Sequence, residues 1–184
     1  INILGSIDIQ KVSKKDINYF KNKRILITGA SGIIGLNFLF FFHKLNLEKK
    51  IKLAIDATYN TYLFNFIKSH LKKNKNISFI KIDLSKKKIK AKKKFDLIFH
   101  CAGYGQPSKF MRMKSTTYKL NSQTLMDLKE NLKKSGKFIY MSTTEIYSGN
   151  TKICSESSVG KTNTLHPRSS YIDSKKFGES FIIN

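Results

Sequence analysis

An α/β fold with a doubly wound parallel sheet is predicted by three features of this 184-residue chain. Apolar runs of strand character alternate with helical patterns along its length. A glycine-rich corner joins the first run to the first helix. Acidic, hydroxyl and small residues then fall at the ends of successive runs, where a parallel sheet presents its ligand face.

The elements follow in order. Ser13 to Lys21 reads as a short helix, with Ser13 as its cap and Asp16 three residues on. Arg24 to Thr28 is the first strand, and the first long helix runs from about Gly32 to Lys44. Ile51 to Asp56 reads as strand two, followed by a helix around Tyr62 to Lys72. Ile77 to Ile82 is strand three and Phe95 to His100 strand four, with the small turn Cys101-Ala102-Gly103 after it. Thr116 to Ser135 has helical apolar spacing, Lys137 to Met141 is strand five, and a last helix begins near Ser169 or Ser170. This places a short N-terminal extension at residues 1–22 and one Rossmann-type domain at 23–184.

Composition bounds the function. With 40% hydrophobic residues the chain buries one sizeable core, and no apolar stretch approaches the roughly 20 residues of a membrane helix. The net charge is +23, from 35 basic and 12 acidic residues. The lysines are scattered, however, and the densest run, Lys86 to Lys94, lies between two strands where a solvated loop belongs. Arginines number only three, Arg24, Arg112 and Arg168, without the aromatic interleaving of a nucleic-acid reader. A lysine-rich solvated surface that attracts anionic nucleotides is the favoured reading, and a nucleic-acid-associated module stays open as the other. Cys101 and Cys154 have neither metal-ligand spacing nor disulfide density, so no metal is expected and a reducing cytoplasmic setting fits.

Chemistry enters at the corner Thr28-Gly29-Ala30-Ser31-Gly32-Ile33-Ile34-Gly35. Gly29 permits a tight turn, Gly32 a close approach of backbone to phosphate, and Gly35 close packing of helix on strand. Ser31, Ile33 and Ile34 supply the amides around a pyrophosphate at the helix N-terminus. Asp56, about 20 residues beyond the last glycine, is the candidate acceptor for the adenosine ribose hydroxyls and would repel the extra phosphate of NADP. A helix-capping aspartate in a loop is the other reading of Asp56. Asp83 and the amide of Leu84 are placed to address the adenine edge. Cys101, Ala102 and Gly103 are small enough for a cofactor to lie on their backbone, whereas His100 reads as a packed core histidine.

A reacting centre is suggested by two further segments. Tyr171 and Lys175 are one helical turn apart and share a face. The ammonium favours the phenolate, so Tyr171 can take a proton from an alcohol as hydride leaves the same carbon, and Lys175 can also hold the nicotinamide ribose. Strand five ends in Ser142-Thr143-Thr144-Glu145-Ile146-Tyr147. Thr143 can donate a hydrogen bond to the reacting oxygen, with Thr144 and Glu145 deeper toward substrate. Hydroxyls that merely cap a strand end are the alternative.

Together, Thr28 to Gly35, Phe95 to Gly103, Asn121, Ser142 to Tyr147 and Pro167-Arg168-Ser169-Ser170-Tyr171-Ile172-Asp173-Ser174-Lys175 carry a resemblance. The chain resembles the extended short-chain dehydrogenase/reductases, within them the NAD-dependent nucleotide-sugar epimerase/dehydratase/decarboxylase family. The resemblance implies NAD as cofactor, a UDP-linked sugar as substrate and oxidation at sugar C4 as the first step. It gives Thr143, Tyr171 and Lys175 the catalytic places, and makes Asn121 the support of the cofactor and active-site region. It also implies pairing into a homodimer through a bundle that includes the Asn121 and Tyr171 helices.

Within that family the residues separate the possible outcomes. Similar 4,6-dehydratases use an Asp-Glu pair after the threonine, and here Thr144 replaces the Asp. A 4-keto hexuronate loses carbon dioxide readily, and Ser142-Thr143-Thr144-Glu145 with Pro167 to Tyr171 is most similar to UDP-glucuronate decarboxylases, as is the loop Gly105-Gln106-Pro107-Ser108. Decarboxylase is therefore the favoured expectation, 4-epimerase second and dehydratase third. The chain starts at Ile1 rather than Met and stops at Asn184, so both ends read as cut, before the smaller substrate domain that the family places there. On that expectation the piece alone would be an inert NAD-binding fragment.

Overall fold

The computed structural model describes residues 8–61, 63, 65–71 and 74–184. The chain divides into two compact units, Ile1–Ala102 with Asn131–Ile139, and Gly103–Glu130 with Tyr140–Asn184. Each is described by itself.

The first unit carries a five-stranded sheet in the order β3-β2-β1-β4-β5. Its strands are β1 (Arg24–Thr28), β2 (Ala54–Tyr59), β3 (Ile77–Lys81), β4 (Phe95–His100) and β5 (Leu132–Tyr140). β1 pairs in parallel with β2 and with β4, and β2 in parallel with β3. Central β1 is buried from Ile25 to Thr28, as expected for a strand covered on both faces. The Rossmann-type α/β fold is present.

The short helix α1 (Lys14–Phe20) starts as read, with the Ser13 hydroxyl oxygen accepting the Asp16 amide at 3.1 Å. Helix α2 (Ile33–Lys49) is longer than its sequence pattern suggests. It buries Leu39, Phe40, Phe42 and Leu45, and the rings of Phe38 and Phe42 lie 4.8 and 5.3 Å from that of Phe99 on β4. Such aromatic edges and faces anchor a helix to a sheet better than aliphatic contact alone.

Strand β2 begins later than expected, and the reason is local. Lys50 and Lys52 hold left-handed backbones at φ 49° and 54°, which no strand accommodates. Buried Asn46 then clamps the returning chain, donating to the Leu53 carbonyl and accepting the Leu53 amide, both at 2.8 Å. Pairing starts only at Ala54. Asp56 is consequently the third residue of six and pairs in register with Leu26, rather than ending the strand.

The helix after β2 is α3 (Asn65–Leu71), and the expected end points at Tyr62 and Lys72 lie outside the described residues. The lysine-rich segment from 86 to 94 forms no regular element, and Asn131 tethers it through the Ile89 carbonyl and Ala91 amide at 3.0 and 3.1 Å.

The second unit holds α4 (Pro107–Arg112), α5 (Lys114–Asn121), α6 (Gln123–Lys129), a 3₁₀ turn at Thr144–Tyr147 and α7 (Ser169–Ile183). The single helix expected over Thr116 to Ser135 is therefore two helices and the start of a strand. Ser122, at φ −130° and ψ −84°, leaves the helical region and divides α5 from α6. In the first unit the Asn131 carbonyl already accepts the Phe95 amide at 2.8 Å, so the chain joins the sheet five residues before the expected Lys137.

Candidate functional site

One candidate region is the glycine corner after β1, wholly within the first unit. Gly29 sits at φ +65°, and a Cβ there would stand 2.8 Å from the Cα and nitrogen of Ala102. A Cβ on Gly35 would collide with the Gly29 carbonyl, and one on Gly32 would lie 3.3 Å from it. Three glycines thus let helix, turn and the strand-end turn at Cys101–Ala102 come together. Gly32 caps α2 with extended backbone and no side-chain hydrogen bond. The first amides of α2, at Ile33 and Ile34, leave the corner with donors and the positive end of a 17-residue helix dipole. Ile33 is 85% exposed beside half-buried Ser31, so the approach is open. These residues fit a dinucleotide pyrophosphate.

Small residues across the corner are fixed from beneath. The Thr28 hydroxyl oxygen accepts the Ala102 amide at 3.1 Å and lies 2.9 Å from Nδ1 of His100, which is buried. His100 is a structural support, and Cys101 and Ala102 are half-buried at the surface it braces.

Asp56 pairs in register with Leu26 of β1. The Arg24 guanidinium holds it at 2.5 Å, and its carboxylate is 12% exposed. The same guanidinium rests on the Phe95 ring at 4.4 Å. Its expected position is therefore corrected: Asp56 lies inside β2 rather than at its end, because the late start of β2 leaves the carboxyl end to Tyr59. Asp83 lies just beyond β3 and accepts the Ser85 hydroxyl at 2.6 Å and amide at 3.0 Å. The Ser85 hydroxyl and, more weakly, Lys86 hold its carboxyl below the ordinary carboxylate range. Leu84 packs next to it, nearly buried.

A separate candidate region lies within the second unit. Along α7, Ser170, Tyr171, Ser174, Lys175 and Gly178 form the buried stripe that the Tyr171–Lys175 spacing foretells. Tyr171 is flat on Phe110, with centroids 4.1 Å apart and planes at 7°. Lys175 donates to the Met141 carbonyl at 2.6 Å, with its ammonium 4.6 Å from the Tyr140 ring centroid and 5.9 Å from that of Tyr171. A cation between two phenols is thus built into the helix face.

Asn121, 1% exposed, locks the arrangement. Its amide donates to the Ser174 hydroxyl at 3.0 Å and its oxygen accepts the Tyr140 hydroxyl at 3.1 Å. Ser174 donates onward to the Tyr171 carbonyl at 2.8 Å. Burial, with Tyr171 and Glu179 nearby, pushes the Tyr140 phenol well up, so Tyr140 stays a neutral donor. Ser174, Tyr140 and Phe110 were not singled out from the sequence. Ser174 shares the helix face, whereas the other two come from distant segments and leave no spacing signal.

Thr143 caps the 3₁₀ turn, its hydroxyl oxygen accepting the Glu145 amide at 3.3 Å. Accepting with its oxygen leaves the hydroxyl proton available to donate. Glu145 pairs with Arg168 at 2.7 Å. Beside them lies an open cavity of about 610 Å³ whose lining includes Thr144, Glu145, Tyr147, Cys154, His166 and Arg168. Gly103 lies 4.0 Å, measured from its would-be Cβ, from the Asn121 side-chain oxygen.

Among the described residues no cluster of three metal-ligating side chains occurs, and no helix is long and apolar enough to cross a membrane.

A parallel Rossmann-type sheet with a glycine corner and a Tyr-x-x-x-Lys helix defines a nucleotide-dependent oxidoreductase-like domain of the short-chain type. The chain belongs to the NAD-dependent epimerase/dehydratase family, whose model matches residues 25–184. NAD is accordingly its cofactor, and the corner described above is where the chain's own groups suit it.

No curated protein sequence matches the chain. Among solved structures, the UDP-Glc/GlcNAc 4-epimerase of Campylobacter jejuni is similar at 25% identity and a TM-score of 0.62, over 87% of this chain and 48% of that one. The UDP-glucose 4-epimerase of Bifidobacterium longum, solved with NAD⁺ and UDP, shares the fold at 18% identity and a TM-score of 0.63, over 87% and 48%. The UDP-glucuronic acid 4-epimerase of Bacillus cereus, in complex with NAD, does so at 20% and 0.59, over 85% and 50%. The chain thus spans about half the length of these structures.

Proposed function

We propose that the intact protein modifies a UDP-linked sugar by transient oxidation at C4, and that its outcome is 4-epimerisation. The observation that carries the first part is the Tyr171–Lys175 face of α7. It brings one phenol against an ammonium, while Asn121 holds the neighbouring Tyr140 as a neutral donor. The glycine corner of Gly29, Gly32 and Gly35 would hold NAD, which would supply the hydride acceptor for oxidation at sugar C4. Tyr171, acting as the phenolate, takes the hydroxyl proton at its phenolic oxygen, with the Lys175 ammonium on the same helix face. Thr143 donates its hydroxyl proton to the same sugar oxygen and fixes its direction.

The epimerase outcome needs only rotation of the keto sugar before the hydride returns, and it has the support of the Campylobacter jejuni likeness. Dehydration has less support, because Thr144 offers no acid to expel a C6 hydroxyl. Decarboxylation, the outcome the sequence favours, keeps one supporting observation. Arg168 lies at the cavity 2.7 Å from Glu145, and a guanidinium there suits a uronate carboxylate if the pair opens.

Incubation of the intact protein with UDP-glucose, UDP-N-acetylglucosamine and UDP-glucuronate, read by proton NMR, tests the proposal. A C4 epimer of any of them supports it. A UDP-pentose from UDP-glucuronate would transfer the assignment to decarboxylation, and no change in any sugar would overturn the C4 chemistry.

A further inference from the structure

Dispersed along the sequence, the lysines gather in the first unit. It holds 25 of the 35 basic residues and six of the 12 acidic ones, so +19 of the net +23 lies there. Much of that charge falls on one edge of the sheet. The registers level the strand starts, with Arg24 opposite Ala54, Ile55 opposite Ile77 and Ile25 opposite Leu97. The segments that enter the strands are bonded to one another. The Asn22 amide donates to the Ile51 carbonyl at 2.9 Å, and the Ile55 amide to the Asn76 carbonyl at 2.8 Å. Exposed Lys21 precedes β1, Lys50 and Lys52 precede β2, Lys75 precedes β3, and Lys93 and Lys94 precede β4. Neighbouring strands stand about 4.8 Å apart, so these segments fall within about 14 Å, and at a Debye length of about 10 Å their potentials add. Acids nearby are already engaged. Asp56 is held by Arg24, Asp96 by Lys133 at 2.7 Å, and Glu48 pairs with Lys44 at 3.8 Å.

A bilayer surface suits this edge better than a nucleic acid does. Its exposed cations are lysines, hydrated point charges that match a fluid array of headgroups, rather than the planar forks that read a phosphate backbone. Leu47, 58% exposed, stands three residues before Lys50 on the last turn of α2, and an apolar side chain beside lysines gains from entering the headgroup layer. We propose that the strand-start edge, through Lys21, Lys50, Lys52, Lys75, Lys93 and Lys94, docks the protein on an anionic lipid surface. The glycine corner lies at the other end of β1, about 16 Å from Arg24, so docking leaves it open to its ligand.

Co-sedimentation of the intact protein with phosphatidylcholine vesicles, with and without phosphatidylserine, tests it. The protein is expected to sediment with the phosphatidylserine vesicles at low salt, to be released as salt is raised, and to stay in solution with phosphatidylcholine alone. Replacing Lys50, Lys52, Lys93 and Lys94 together by Gln weakens binding by about 100-fold or more, at about fivefold per lysine. The matched variant, Gln at Lys114, Lys119, Lys152 and Lys161 of the second unit, removes the same charge from exposed positions and keeps wild-type binding. Equal losses in the two variants would overturn the proposal, because the attraction would then belong to net charge and not to the edge. Absence of wild-type binding to phosphatidylserine vesicles would overturn it outright. Release from the vesicles by polyuridylate at equal phosphate concentration would overturn it in favour of a nucleic acid.

Discussion

Asn121 is the residue on which the reacting face depends most, because its buried amide joins Tyr140 to Ser174 and through it to Tyr171. Asn121→Ala removes the acceptor of the half-buried Tyr140 hydroxyl and the donor to buried Ser174. The expected loss is about 1–3 kcal/mol, read by urea denaturation. Tyr171→Phe is the contrasting case. The stack on Phe110 survives, so folding is unchanged, while the rate of sugar oxidation in the intact protein falls by about 10²–10⁴-fold. Unchanged turnover in that variant would remove Tyr171 from the chemistry. At this scale the sequence showed Tyr171 and Lys175 together, since four-residue spacing on a helix fixes a shared face. It could not show Tyr140 or Phe110, whose contacts with α7 come from other segments. Asp56 was misplaced for a comparable reason: Ile51 to Asp56 reads as one apolar strand, and nothing in two lysines announces a left-handed backbone.

The elements show where packing overrides pattern. Helix α2 was legible as a helix from its apolar density and its glycine start, but its end was not, because Asn46 and the turn beyond it decide where β2 begins. Asn46→Ala leaves both the amide and the carbonyl of buried Leu53 without that partner. It should cost about 1–3 kcal/mol in chemical denaturation and raise amide exchange across β2. The helix after Thr116 was legible only in part. Its apolar spacing continues past Ser122 and into residues that join the sheet, and the main-chain bond from Phe95 to Asn131 outweighs that periodicity. Gly178 illustrates a cost hidden in an element: a Cβ there would lie 2.6 Å from the Tyr140 ring. Gly178→Ala is therefore expected to push Tyr140 away from α7 and lower stability although alanine favours helix.

At the scale of the whole molecule, pH separates two groups of titrating side chains. His43 is buried on α2, donor or acceptor to Asn74 at 3.2 Å, with the His70 ring centroid 6.1 Å away. Burial first, and the His70 charge second, lower its pKa below the ordinary 6.5. The unfolded chain therefore binds this proton more readily than the folded one. Stability is full above pH 6.5 and is lost as the pH falls through the folded value. Asp83 and Asp96 are also lowered in the folded state, from 3.8, so their contribution is present above that value and is lost only at more acid pH. For Asp96 burial alone would raise the value, and the Lys133 hydrogen bond at 2.7 Å with the Arg24 amide outweighs it. Thermal melts should thus show an early acid step that His43→Gln removes and a later one that it leaves in place. The net charge of +23 adds self-repulsion, and added salt should raise the melting temperature at neutral pH.

The central claim is that Tyr171, supported by Lys175, draws the proton from a sugar alcohol while the glycine corner presents NAD. Its most direct measurement is the near-ultraviolet absorbance of reduced nicotinamide during a single turnover of the intact protein with UDP-glucose. A transient rise that decays as the C4 epimer forms, and that Tyr171→Phe abolishes, is the predicted result. Epimer formation with no reduced nicotinamide at any time, or a rise of the same size and rate in Tyr171→Phe, would contradict it.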